Sequence, residues 1–338
     1  MIRSAKLVST LVASVALLAL SFAAGAQQKS EISITRQPGI LYLPSHVMEK
    51  QQLIEKEAAK LGVPNLKVTW ASLSGGGAQT DALLSGNVDV VNTGVGNLLL
   101  LWDRTKGGVK GIVANSALPL ALITRNPNIH TLKDYGPNDR IAVPTLKVST
   151  QAILLQMASE KTFGADQTTK LDANTVQLGH PDAAIMMANP QGEITSHFAV
   201  PPYSYYELKN GKGAHIVLSS PDIIGGPLTQ SQFFTTTKFA DANPKIVAAI
   251  KAATFDAIDF INKDTPAAVE IYREVTHDKM PAAEILDMLK QPGMMEWTPA
   301  PQGTMKFAAH LHKVGTLKTM PKAWTDYYLP ITADLPGN

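Results

Sequence analysis

Four short segments of the chain have the composition of loops that lead from a strand into a helix and hold a ligand there. They are residues 37–45, 72–77, 92–96 and 145–151. All four carry hydroxyl or amide side chains, and the first three also contain glycine or proline. Glycine allows close backbone approach, and the free N–H groups at a helix start attract anions. The chemistry expected is non-covalent capture of a small anion, by residues Gln37, Gly39, Tyr42, Pro44, Ser74, Gly75, Gly76, Thr93, Gly94, Gly96, Lys147, Ser149, Thr150 and Gln151.

Each loop taken alone is also compatible with an ordinary turn and helix cap, so only their joint placement predicts a site. Two further regions add candidates: His197, Pro201 and Tyr203 near the end of a predicted strand, and Gly225 before a later one. A lone histidine at the position of His197 is more often a hydrogen-bonded structural residue than a ligand contact. Gly225 and its neighbour Gly226 suit either a hinge or a turn.

The motifs of several enzyme classes are absent from the sequence. There is no cysteine, no Gly-x-Ser-x-Gly, no phosphate loop and no His-Glu-x-x-His, and Gly94-Val-Gly96 lacks the third glycine of a dinucleotide fingerprint. The eight histidines are scattered, and His310 and His312, two residues apart, are predicted to be solvated. We therefore expect a non-enzyme with no catalytic residue, no metal and no cofactor.

The N-terminus predicts export. Arg3 and Lys6 precede an apolar run over residues 7–20 and a small-residue cleavage site, which indicates a signal peptide at residues 1–26. The run is shorter than the roughly 20 residues of a membrane span. Without Arg3 and Lys6 the formal charge falls from +2 to zero, which disfavours nucleic acid and anionic lipid as partners. With no cysteine for a lipid anchor, a soluble monomer in the periplasm is expected.

The loops require a scaffold of strands that alternate with helices, and the sequence predicts two such runs of alternating elements. The first run predicts strands at residues 31–37, 66–71, 88–92 and 109–114 with helices at 45–61, 78–84 and 97–104. The second run predicts strands at residues 140–143, 175–178, 194–198 and 215–218 with a helix at 149–163. In both runs a helix is expected to end near a glycine, Gly86 or Gly192, in a left-handed cap.

The C-terminal third is helical in pattern, with starts at Asn243-Pro244 and Thr265-Pro266 and further helices at 282–289 and 303–314. Residues 118–124 and 229–236 look strand-like and are interpreted as paired crossover strands of a hinge. The fold class predicted is α/β, with two lobes that each carry a mixed, mostly parallel sheet flanked by helices, and with the C-terminal helices packed on lobe 1. The predicted boundaries are residues 27–120 plus 232–338 for lobe 1 and residues 121–231 for lobe 2.

These segments, taken in order, resemble the substrate-binding proteins of the nitrate, sulfonate and taurine class of ABC importers, which have a type II periplasmic binding fold. The resemblance covers nearly the whole chain after the signal peptide. The resemblance rests on residues 37–39 with Tyr42 and Pro44, residues 82–89 with Gly94 and Gly96, residues 140–144, residues 192–202, and Asn243-Pro244.

The resemblance implies a cleft that closes on its ligand and a partnership with an ABC permease and its cytoplasmic ATPase. The expected ligand is a sulfonate, nitrate or carboxylate-like anion. The loops contain no arginine, so backbone amides, hydroxyls and Lys147 would hold it. Two alternatives stay open, namely a neutral or aromatic heterocycle as ligand and a sensor that presents its closed form to a membrane receptor.

Overall fold

The computed structural model describes residues 28–73 and 75–338. The predicted signal peptide at residues 1–26, its cleavage site and the candidate residue Ser74 lie outside this part. Within it, no helix has both the length and the apolar character needed to cross a membrane.

The first sheet contains five strands in the order β2-β1-β3-β10-β4. The strands β1, β2 and β3 are parallel, whereas β10 runs antiparallel to both of its neighbours. The centre of this sheet is fully buried at Ile34, Val90 and Phe233, as expected for a sheet covered on both faces. The bounds are β1 Glu31–Arg36, β2 Lys67–Ser72, β3 Val90–Thr93, β4 Val109–Ser116 and β10 Ser231–Thr236.

The second sheet has the order β7-β6-β8-β5-β9. Here β6 is parallel to β7 and β8, and β5 is antiparallel to β8 and β9. The two sheets are therefore built alike, and each contains one antiparallel strand that follows a connection from the other sheet. The bounds are β5 Ala121–Thr124, β6 Ile141–Val143, β7 Thr175–Gln177, β8 Ser196–Ala199 and β9 His215–Ser219.

Thirteen α-helices lie within the described residues and cover the sheets. Those from Pro244 onward pack on the first sheet and its helices, as predicted. The bounds are α1 Leu43–Gln51, α2 Leu53–Lys60, α3 Gly76–Leu84, α4 Val95–Arg104, α5 Thr150–Phe163, α6 His180–Ala188, α7 Tyr203–Asn210, α8 Ser220–Ile224, α9 Thr237–Ala242, α10 Pro244–Lys263, α11 Thr265–Thr276, α12 Ala282–Leu289 and α13 Thr304–Lys313.

The predicted pairing of the two crossover strands is wrong. The strand β5 lies in the second sheet and β10 in the first, and they share no ladder. What crosses between the sheets is residues 117–120 and 225–230, where the Gln230 N–H donates to the Ser116 carbonyl at 2.8 Å. A strand's sequence indicates that it will pair but not with which partner, and β10 finds its partners in β3 and β4.

Three local predictions also need correction. The helix predicted at residues 45–61 is broken at Gln52, which has left-handed backbone angles (φ 52°, ψ 45°). Gly86 does adopt a left-handed conformation after α3, but α6 ends at Ala188 and Gly192 has no positive φ. His310 is buried and lies 3.4 Å from Glu160, because α13 turns that face inward, while His312 is exposed.

Candidate functional site

A small cavity of about 30 Å³ lies between the two sheets, where loops of both meet. All four predicted loops contribute described candidates to it, and the loop at residues 72–77 does so through Gly76, the first residue of α3. The first-sheet side supplies Gln37, Leu41, Tyr42, Gly76, Thr93, Gly94, Asn97 and Gln230, and the second-sheet side supplies Pro144, Ser149, Thr150, Gln151, His180 and Val200.

Gln37 ties together the first-sheet loops around this cavity. Its side-chain nitrogen donates to Thr93 Oγ1 at 3.0 Å and to the Asn92 carbonyl at 3.3 Å, and its oxygen accepts from the Gly75 N–H at 3.1 Å. Because the amide is fully engaged, Gln37 holds the loops in place rather than offering free donors to a ligand. The buried Tyr42 hydroxyl lies beside Gln37 and Thr93, and desolvation raises the pKa of this phenol well above its usual value.

The two sides of the cavity touch each other directly. The Ile40 N–H donates to the Pro201 carbonyl at 3.2 Å. A Cβ atom placed on Gly94 would collide with Thr150 Oγ1, and one placed on Gly96 would lie 2.9 Å from the Val148 carbonyl oxygen. Glycine at these two positions therefore lets the start of α4 approach the start of α5.

Helix N-termini supply the electrostatics of the cavity. Gly94 and Ser149 are the N-caps of α4 and α5, and His180 is the first residue of α6. The Ser149 hydroxyl caps α5 by accepting from the Ala152 N–H at 3.3 Å. The first N–H groups of a helix lack partners within it and carry partial positive charge, so three such ends at one point favour an anion.

The cavity offers this field without formal charge. None of the described residues that line it is an acid, lysine or arginine, and burial keeps the pKa of His180 well below 6.5, so its ring is neutral. Lys147, the predicted cation, is exposed and does not line the cavity. About 30 Å³ is enough space for roughly two water molecules. A larger ligand would require the two sides to move apart.

On the second-sheet side a line of polar side chains leads from the cavity into the core. The Gln151 amide nitrogen lies 3.2 Å from His180 Nε2, and His180 Nδ1 lies 2.8 Å from His197 Nε2. His197 Nδ1 in turn lies 2.6 Å from Glu207 Oε1. Burial lowers the pKa of His197 to about 3 and raises that of Glu207 to about 8.

Sequence reasoning missed Asn97, His180 and Gln230. Asn97 and His180 each stand in the first turn of a helix that follows a strand, so the same strand-to-helix criterion would have found them. Gln230 carries no such signal. It is buried, and among the described residues its side-chain nitrogen has no hydrogen-bond partner although it faces a polar cavity.

Several predicted residues do not line this cavity. His197 is fully buried behind His180, and Tyr203 stacks on the His180 ring with centroids 6.0 Å apart. Pro44 is buried in the first turn of α1, Gly39 and Gly96 pack across the cavity's edge, and Gly75 bonds Gln37. Gly225 ends α8 with a φ of 78° and is the first residue of the connecting segment at residues 225–230.

A larger cavity, of about 470 Å³, lies where the two connecting segments run between the sheets. Pro201 lines it, together with Pro119, Leu228 and Met294. Its walls are mainly apolar. Its lining shares no residue with the polar cavity.

Neither a protein-family model nor a curated protein sequence matches the chain. Solved structures do match. The alkanesulfonate-binding protein SsuA from Xanthomonas axonopodis pv. citri, bound to MOPS, superposes with a TM-score of 0.67 at 16% identity, covering 88% of this chain and 96% of that one.

Two further solved structures match over most of both chains. The periplasmic aliphatic sulphonate-binding protein SsuA from Escherichia coli gives a TM-score of 0.65 at 18% identity, over 89% of this chain and 92% of that one. The periplasmic nitrate-binding protein NrtA from Synechocystis PCC 6803 gives 0.66 at 14% identity, over 88% and 84%. The chain therefore has the fold of the periplasmic binding proteins, as the sequence predicted.

Proposed function

We propose that this protein is the solute-binding component of an ABC importer and captures a small anion between its two sheets. The observation that carries the proposal is the meeting of three helix N-termini, from both sheets, at one polar cavity. Neutral hydroxyls and amides line it, as suits an anion held by hydrogen bonds. The structural likeness to sulfonate-binding and nitrate-binding proteins supports the same class of ligand.

The proposal includes a mode of action. Residues 27–120 with 232–338, and residues 121–231, act as two lobes that close on the ligand by movement of the connecting segments. The closed form is recognised by a permease with its ATPase, and the protein works as a non-catalytic monomer in the periplasm after removal of residues 1–26. The direct contact of Gly94 with the Thr150 side is the kind of contact that such closure makes.

A thermal-shift screen of residues 27–338, freed of co-purified ligand, tests the ligand class. The compounds are methanesulfonate, taurine, nitrate, acetate, benzoate and uncharged heterocycles. A ligand that binds only the folded state raises Tm. A shift with one anion class supports the proposal, whereas shifts confined to the heterocycles would show that the ligand is neutral.

Loss of uptake of that ligand after gene deletion supports import. Unchanged uptake with a lost transcriptional response to it would instead identify a sensor.

Removing the hydroxyls of Ser149 and Thr150 together should weaken anion binding at least tenfold, because both face the cavity at the start of α5. The measurement is calorimetric titration with the anion found in the screen. The matched control is Thr236→Ala, which removes an N-cap hydroxyl from α9 away from the cavity. Each cap loss costs about 1 kcal/mol of stability. Unchanged affinity in the double variant would rule out the α5 end as the binding position.

A further inference from the structure

The line of side chains behind the cavity ends at a carboxyl group in an unusual setting. Glu207 is 3% exposed, and only one of its oxygens has a partner, His197 Nδ1 at 2.6 Å. The other oxygen, Oε2, is buried and lacks a hydrogen-bond partner among the described residues. Around it lies a small apolar space lined by Ala184, Met187 and Ala214.

No described cation faces this carboxyl. Of the elements packed around it, β5 carries no titratable residue, β8 contributes His197, and α6 contributes His180 and Asp182. On its own helix, the titratable residues Tyr203, Tyr205 and Tyr206 carry no positive charge, and Tyr206 lines the small space. The one cation on this helix, Lys209, pairs with Glu284 of α12. An ionised Glu207 would be a buried charge without a counter-ion, which is why burial raises its pKa to about 8.

A neutral histidine carries one proton, so it donates at one ring nitrogen and accepts at the other. Two neutral histidines in series must therefore donate in the same direction. We call the direction from Glu207 toward the cavity outward. In this direction Glu207 Oε1–H donates to His197 Nδ1, His197 Nε2–H donates to His180 Nδ1, and His180 Nε2–H donates to the Gln151 side chain. In the inward direction all three bonds are reversed and end on a Glu207 carboxylate.

A protonated Glu207 favours the outward direction. With the proton on Oε1, the carboxyl group donates the 2.6 Å hydrogen bond to His197 Nδ1. The unpartnered Oε2 is then a carbonyl oxygen, which can only accept. With the proton on Oε2 a buried O–H donor would be left without a partner, which is the costlier omission. The Gln151 amide then turns its oxygen to His180 and its NH2 group to the cavity, a 180° rotation that leaves its shape unchanged.

We propose that Glu207 is a positioning residue that acts through His197 and His180 to make Gln151 present N–H donors to the ligand. This inference rests on the proposed function and deepens it, because an N–H at this position selects an acceptor such as an oxoanion or carboxylate. Ionisation of Glu207 reverses the series, so Gln151 then presents its oxygen and repels the same anion. Ligand capture is thereby coupled to a proton that the ligand never touches.

The test reads the histidines directly, without any ligand. In protein labelled with 15N at histidine, NMR distinguishes the Nε2–H from the Nδ1–H tautomer. We expect His180 and His197 both to be Nε2–H at pH 6 and both Nδ1–H at pH 9.5. In Glu207→Gln, whose amide N–H donates to His197 Nδ1, both should stay Nε2–H across this range. Nδ1–H tautomers at pH 6, or tautomers that do not change in the unmutated protein, would overturn the inference.

The second readout is affinity, with methanesulfonate and nitrate as probes. Between pH 6 and pH 9.5 the Kd of the unmutated protein should rise about tenfold, which is about 1.4 kcal/mol. Glu207→Gln should keep the affinity of pH 6 throughout, Glu207→Leu should weaken binding at both pH values, and the surface control Glu284→Gln should behave as the unmutated protein. A Glu207→Gln variant that binds as weakly as Glu207→Leu would contradict the positioning role.

The two proposals fail in different ways. If neither probe binds at any pH while the tautomers switch as expected, the anion-binding function is wrong and the hydrogen-bond series stands. If a probe binds with the same affinity at both pH values and the tautomers do not switch, the function stands and the inference fails.

Discussion

At the scale of single residues, the cavity depends on two features that differ in how visible they are in sequence. Gly94 belongs to a Gly-Val-Gly start of a helix and was found as a candidate. Gln230 was not, since nothing in its neighbours indicates that its side chain is buried beside a cavity. Both have direct consequences that mutagenesis can measure.

Gly94→Ala should weaken anion binding at least tenfold, because the added methyl group collides with Thr150 Oγ1 when the two sides meet. The unliganded protein can relieve the collision by opening, and Gly94 has an ordinary φ of −69°, so the free energy of unfolding should change by less than about 1 kcal/mol. Titration calorimetry and urea denaturation measure the two effects.

Gly136→Ala is the control, since the nearest atom to its added Cβ, Asp139 Oδ2, is 3.5 Å away. Adding Thr150→Ala to Gly94→Ala removes the colliding atom and should restore closure. Full affinity in Gly94→Ala alone would show that binding does not require this contact.

Gln230→Met should weaken anion binding about tenfold and leave the protein as stable as before or slightly more stable. Its side-chain nitrogen is a buried donor with no partner among the described residues, and such a group costs about 1–3 kcal/mol unless a ligand satisfies it. Methionine keeps the length without the donor. A stability loss above about 2 kcal/mol with unchanged affinity would instead indicate a structural role.

At the scale of elements, the cavity depends on where helices begin, because the N-termini of α4, α5 and α6 line it. The sequence located α4 and α5 to within a residue or two, because glycine, serine and threonine mark helix starts through their backbone and capping chemistry. It did not locate the break at Gln52, where no proline or glycine stands. It also did not locate α7, although Pro202 precedes this helix and Gly211 follows it. The α7 helix is the one that carries Glu207, so the carboxyl at the end of the hydrogen-bond series was not found.

At the scale of the whole molecule, buried titratable groups predict a stability maximum near pH 6.5. Burial lowers the pKa of His46 and His197 to about 3 and that of His180 well below 6.5. Unfolding restores these pKa values to about 6.5, so the unfolded chain takes up protons below that pH and stability falls as the solution is acidified.

Glu207 has the opposite effect on how stability depends on pH. Its pKa of about 8 in the folded protein exceeds the ordinary 4.5, so its contribution is present at low pH and lost as pH rises through about 8. Above about pH 6.5 it acts alone, and the free energy of unfolding should fall by about 1.4 kcal/mol per pH unit up to pH 8. Below pH 6.5 the three histidines outweigh it.

Urea denaturation at pH 5, 6.5 and 8 measures this profile. Glu207→Gln should remove the decline between pH 6.5 and pH 8 and keep the decline toward pH 5. A steady rise in stability from pH 5 to pH 8 in the unmutated protein would contradict the assignment of these groups.

The sequence by itself determined the α/β class, the two runs of strands and helices, and the strand-to-helix loops that form the cavity. These features are local, because hydrophobic period, glycine, proline and capping residues act within a few positions of themselves. Only the tertiary structure decided that β10 enters the first sheet between β3 and β4, that Gln230 reaches the cavity, and that Glu207, His197 and His180 touch. Those contacts join residues on separate elements, and their geometry depends on packing, which no local pattern records.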